Sequence, residues 1–124
     1  MKHIPGHGLS KVDSHYKTPF VNNSKKELKF KDFKPFKKCK APFAMTAHVI
    51  YKKYDSRFTA THSKIIINQV IRKYIGFKGL LISDDISMKA LSTNVEKNAT
   101  AALKAGCNII LHCNANIREM NRLI

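Results

Sequence analysis

The chain has 124 residues, 44% of them hydrophobic, and a formal net charge of +15, which leaves room for one domain with a modest core and argues against global disorder. No apolar run approaches the roughly 18 residues of a membrane span, and the opening Met1-Lys2-His3-Ile4-Pro5-Gly6 has no apolar signal core, so a cytoplasmic location and no membrane partner are expected. The charge is almost all lysine, with only Arg57, Arg72, Arg118 and Arg122, whereas base readout and bidentate phosphate binding favour arginine; no nucleic-acid partner is expected.

The first two dozen residues read as a loop. Lys2-His3-Ile4-Pro5-Gly6-His7-Gly8 is polar and held in shape by glycines and a proline, and Asp13-Ser14-His15 follows. An Asp two residues before a His can accept a hydrogen bond from one ring nitrogen, leaving the other to exchange a proton. A solvated turn with an incidental His is the plainer alternative. His3 and His7 stand four apart, but Pro5 and Gly6 argue against a helix aligning them, and no other ligand pair has metal spacing. Neither a metal nor a cofactor is expected.

Ser24-Lys25-Lys26-Glu27 has the pattern of a capping box and predicts a helix from about Lys25 to Phe33, with Pro35 disfavouring its continuation. Pro42 to Val49 is a short apolar run with the length of a buried strand. Ser63 caps a helix over Lys64 to Ile75, in which Ile66, Val70, Ile71 and Tyr74 recur at helical spacing and Gly76 supplies the stop. Gly79-Leu80-Leu81-Ile82-Ser83 reads as a strand buried on both faces. Thr93-Asn94-Val95-Glu96 predicts a second capping box, opening a helix that closes at Gly106. Asn108 to His112 is a further buried-type strand, and Asn116 starts a final helix. Cys39, Cys107 and Cys113 have no CxxC spacing, so neither a disulfide framework nor a zinc ribbon is indicated; Cys107 and Cys113 read as small buried residues.

Such alternation calls for an α/β fold with a parallel sheet and right-handed crossovers. Three full strands cannot close on themselves, and a complete (β/α)8 barrel takes roughly 200 to 250 residues. A partial TIM-type barrel, about the last three to four β/α units, is predicted. It would have open edges and one uncovered apolar face.

Ser83-Asp84-Asp85 puts paired carboxylates at the C-terminal end of a strand, where α/β enzymes place reactive groups. Capping by Asp85 or Ser83 of a short helix holding Met88 and Leu91 is the competing role, and both hold if Asp84 faces a pocket while its neighbour serves that helix.

Taken in order, KHIPGHG, DSH, MTAHVIY, GFKGLLISDDISMKAL and AGCNIILHCN closely resemble bacterial family 3 β-N-acetylglucosaminidases of peptidoglycan recycling. The motifs span nearly the whole chain, which would make residues 1–124 a fragment of that family's catalytic barrel. The resemblance implies that Asp84 is a nucleophile forming a covalent glycosyl-enzyme and that His15 is the acid/base, oriented by Asp13. It further implies that Lys2 and His3 hold hydroxyls of a terminal N-acetylglucosamine. The family also uses an Asp and Arg residues from earlier strands that are not in this chain; Asn108 stands where Asp is usual, and Thr59 where Pro is usual. The chain is accordingly expected to be weakly active or inactive alone, with a separate chain as the source of the remaining barrel half. The alternative is a non-enzymatic basic protein binding anionic polymers.

Overall fold

A computed structural model describes residues 1–14, 16–91 and 93–124; His15 and Ser92 lie outside the described residues. Five strands are interspersed with helices among the described residues: β1 (Phe20–Val21), α1 (Lys25–Leu28), β2 (Phe43–Met45), β3 (Ile50–Tyr51), a wide-turned π-helix (Ile66–Ile75), β4 (Leu80–Asp85), α2 (Val95–Ala105), β5 (Ile109–Leu111) and α3 (Ile117–Asn121). β2, β4 and β5 form a parallel sheet in that spatial order, and β1 pairs with β3, also in parallel. This is the predicted α/β arrangement.

The N-terminal residues lie beside β2 on its outer edge. Met45 N–H donates to Met1 O at 2.9 Å, Ile4 N–H to Met45 O at 2.8 Å, and Ala47 N–H to Ile4 O at 3.0 Å. One of the two expected open edges is therefore covered over this stretch. The run predicted as one strand over 42–49 is divided: β2 ends at Met45, and the chain pairs next with β1 through Ile50 and Tyr51.

Local signals account for most helix ends. Ser24 Oγ accepts Glu27 N–H at 3.2 Å, while Glu27 carboxylate takes Lys31 Nζ at 2.9 Å. Pro35 does not stop the chain: wide turns over Lys29–Phe33 pass into a tight helix over Lys34–Lys38, because proline is tolerated in the first turn of a new helical segment. Ser63 Oγ accepts Ile66 N–H at 3.2 Å, and Gly76 takes φ 80° at the far end, where a side chain would be strained. The α2 cap sits one residue later than predicted. Asn94, not Thr93, accepts Lys97 N–H at 3.0 Å, and Thr93 bonds Asn98 instead.

The core fills the space between the helices and one face of the sheet, with Ala44, Leu81, Ile66, Ile67 and Ile71 all at 1% exposure or less. Phe33, on the lysine-rich helical stretch, meets Tyr51 edge-on at 5.5 Å and also contacts Tyr54 and Tyr74. The other face of the sheet is bare. Phe43 and its register partner Leu80 are 47% and 46% exposed, and Ile109, partner of Ile82, is 39% exposed. β4 is thus covered on one face rather than both, because three strands leave the inward face of a barrel without the strands opposite it. Cys107 is buried, but Cys113 is exposed, contrary to expectation, because it follows the last strand; all three cysteines are free.

Candidate active site

At the C-terminal end of the bare face lies a cleft of about 490 Å³. The N-terminal stretch contributes Lys2, His3 and His7, the next loop Asp13 and Ser14, and the ends of β2, β4 and β5 contribute Met45, Asp84, Asp85, Leu111 and Cys113. Four of the five predicted site residues, Lys2, His3, Asp13 and Asp84, therefore line one cleft. The fifth, His15, lies outside the described residues. Another depression, of about 440 Å³, lies between Phe20, Phe58 and Lys97 and contains none of the predicted residues.

Asp84 sits near the end of β4 with its side chain 13% exposed, and His3 Nε2 lies 3.8 Å from its Oδ2. Its Oδ1 accepts Asp85 N–H at 2.9 Å. Asp85 has the structural half of the pair. Its carboxylate accepts Ser87 N–H at 3.0 Å and Ser87 O–H at 2.8 Å, and Cys113 N–H reaches it at 3.1 Å. Asp85 thus ties the turn after β4 to the turn after β5 and sets the cleft floor. The segment it serves is a series of turns through Met88 and Leu91, not the helix anticipated.

The glycine loop is held from behind. Asp32, buried, accepts backbone N–H groups of Gly8 and Leu9, and burial raises its carboxyl above the usual carboxylate range. Tyr51 O–H donates to Gly6 O. A Cβ on Gly6 would stand 2.7 Å from Asp32 Cβ, so the approach requires glycine. From this loop His7 Nε2 reaches Ser14 Oγ at 3.3 Å, linking the glycine loop to Ser14, next to Asp13.

Residues missed by sequence reasoning surround the carboxylates. Thr46, His48 and Thr61 are fully buried and hydrogen-bonded to one another and to the Asp84–Asp85 backbone. The available signal was two polar residues, Thr46 and His48, inside the apolar run Ala44 to Val49. Burial lowers the His48 pKa, opposed by its bond to Asp85 O and by the two carboxylates. Burial and the Asp85 and Asp84 charges raise the Cys113 thiol, making it a poor thiolate source. No group of three or more His, Cys, Asp or Glu side chains placed to hold a metal occurs among the described residues.

The family model for the glycosyl hydrolase family 3 N-terminal domain matches residues 1–124. A β-hexosaminidase of Haemophilus influenzae is 39% identical over 119 residues, covering 91% of this chain and 34% of that protein. A family 3 β-N-acetylglucosaminidase from a Paenibacillus strain superposes with a TM-score of 0.91 at 30% identity, over 98% of this chain and 24% of that one. NagZ from Neisseria gonorrhoeae, in complex with N-trifluoroacetyl-D-glucosamine, superposes with a TM-score of 0.84 at 36% identity, over 98% and 35%. The chain spans about a third of the length of the Haemophilus protein.

Proposed function

The chain belongs to the glycosyl hydrolase family 3 N-terminal domain family, and on that premise we propose that it carries the catalytic groups for retaining hydrolysis of terminal β-linked N-acetylglucosamine from peptidoglycan fragments, in the cytoplasm. The observation that carries the reading is the convergence of Lys2, His3, Asp13 and Asp84 on one cleft. Lys2 and His3 bind sugar hydroxyls, and the 3.8 Å between His3 and Asp84 sets a sugar held there close to the carboxylate. Asp84 attacks the anomeric carbon as the glycosidic bond breaks, giving a glycosyl ester. His15, oriented by Asp13, gives its proton to the departing oxygen, then takes one from the water that cleaves the ester. A His suits both steps because its pKa lies near working pH.

The bare face supports the second part of the proposal, that the chain alone is weakly active or inactive. The cleft opens along Met45 and Leu111 instead of being closed by opposing strands, so water exclusion and sugar binding both suffer. The first strands of the family's barrel are the partner that this face fits. The test measures release of 4-nitrophenol from its N-acetyl-β-glucosaminide by this chain alone and mixed with the first barrel half of a relative. Weak turnover that rises on mixing and is lost in Asp84→Asn and His15→Ala is expected. Turnover unaffected by Asp84→Asn would overturn the assignment.

A further inference from the structure

The strand bearing Asp84 is irregular where it matters. Between the partner pairs Ile82–Ile109 and Asp85–Leu111, β4 contains one more residue than β5. Such a bulge re-aims a side chain at the rim of a barrel, but it also takes backbone groups off the ladder, and each of these needs a partner. Ser83 Oγ, fully buried, meets part of that need by accepting Leu111 N–H at 2.9 Å. On the opposite side of β4, past the last pair with β2 (Met45–Ile82), Asp84 N–H donates to Thr46 Oγ1 at 3.1 Å.

From Thr46 the bonds run on in a circuit. Thr46 Oγ1 and Thr61 Oγ1 are 2.8 Å apart, Thr61 Oγ1 and His48 Nδ1 2.7 Å, and His48 Nε2 and Asp85 O 2.9 Å. All three side chains are 0% exposed. A carbonyl oxygen can only accept, so Nε2 of a neutral ring carries the proton and Nδ1 offers a lone pair. Thr61 O–H therefore donates to Nδ1, in preference to Ala47 O at 3.3 Å. Thr46 O–H then donates to Thr61, and Thr46 oxygen is left to accept Asp84 N–H. The direction of every bond follows from the first.

We propose that Thr46, Thr61 and His48 are positioning residues for the nucleophile: their circuit clamps the peptide group before Asp84 and the one after Asp85, fixing the bulge that aims the Asp84 carboxylate into the cleft. The proposal rests on Asp84 being the nucleophile. It adds a reason for the polar residues in an otherwise apolar run, since Val at 46 or Leu at 48 would satisfy the core and leave the bulge unsupported. The charged and titratable groups facing His48 are Asp84, Asp85, His3 and His62, and desolvation keeps the ring neutral among them.

The test uses the full chain labelled with 15N, in the wild type, in Thr61→Val, which keeps shape and loses the hydroxyl, and in Thr61→Ser, which keeps the hydroxyl. The wild-type His48 ring should be neutral, protonated at Nε2, at pH 7. Thr61→Val should move the Asp84 amide resonance and lower its exchange protection at least tenfold, and Thr61→Ser should restore both. In the glycosidase assay, Thr61→Val should lower kcat about 10- to 100-fold with KM within about threefold, as expected for a displaced reacting group. A His48 ring protonated at Nδ1, or an Asp84 amide indifferent to Thr61→Val in the folded chain, would overturn the proposal. These readouts need no turnover, so they stand apart from the nucleophile assignment, whose failure would appear as turnover persisting in Asp84→Asn.

Discussion

Tyr51→Phe removes one oxygen from the molecule and tests how the glycine loop is held. Tyr51 is 0% exposed, its ring meets Phe33 edge-on, and its hydroxyl donates to Gly6 O. Phenylalanine retains the ring contacts, so packing is unchanged and the loss is confined to the hydrogen bond. A neutral bond contributes about 1 kcal/mol net, and a buried carbonyl left unpaired costs about 1–3 kcal/mol. Gly6 is buried, so the sum is placed at about 2–4 kcal/mol. For a chain of this length that corresponds to a fall in Tm of roughly 8–16 °C. Urea unfolding at constant m measures the first quantity, and amide exchange over Gly6 to Leu9 should show the loop opening more readily than the sheet. An unchanged midpoint together with unchanged exchange at Gly6 and His7 would refute the claim that this bond holds the loop.

Three other changes follow from the same structure. His62 is half-buried with its pKa lowered to about 4, chiefly by desolvation and then by the nearness of His48, which disfavours a second charge; its contribution to stability is complete above about pH 6.5 and is lost as pH falls toward 4. His62→Gln should flatten the acid slope in that window, of which one group supplies at most about 1.4 kcal/mol per pH unit; an unaltered slope would assign it elsewhere. A Cβ on Gly79 would lie 2.2 Å from Pro42 O, the acceptor for Leu80 N–H, so Gly79→Ala should cost about 3 kcal/mol by prising β2 from β4, measured by denaturation. Asn108 Oδ1 accepts both Leu81 N–H at 2.9 Å and Arg72 Nη2 at 3.0 Å; Asn108→Asp adds a charge to an exposed pairing and should stabilise by up to about 1 kcal/mol, less in high salt.

What could be read from the sequence was whatever is signalled locally. Ser63 and Gly76 bracket a helix because a hydroxyl cap and a left-handed glycine act within a turn or two of the chain, and the apolar run at Leu80 to Ile82 announced its strand. The count of strands against the needs of a closed barrel predicted the bare face now visible at Phe43, Leu80 and Ile109. Four cleft residues were found because their motifs lie at strand ends and in a glycine-held loop. The two-residue pairing of β1 with β3 was not legible: it is made by residues 30 apart, Phe20 with Ile50, and carries no periodicity. The Thr46–Thr61–His48 circuit was missed for the same reason, since its bonds close over 13 to 38 residues. Pro35 misled because a proline that ends one helix can begin the next turn.

The most direct measurement is the identity of the residue that becomes covalently glycosylated. Prolonged incubation of the chain with a 5-fluoro glycosyl fluoride of N-acetylglucosamine, which slows ester breakdown, followed by peptide mass spectrometry, should locate the sugar on Asp84. Labelling of Asp85 or any other residue, or equal labelling of the Asp84→Asn chain, would contradict the account.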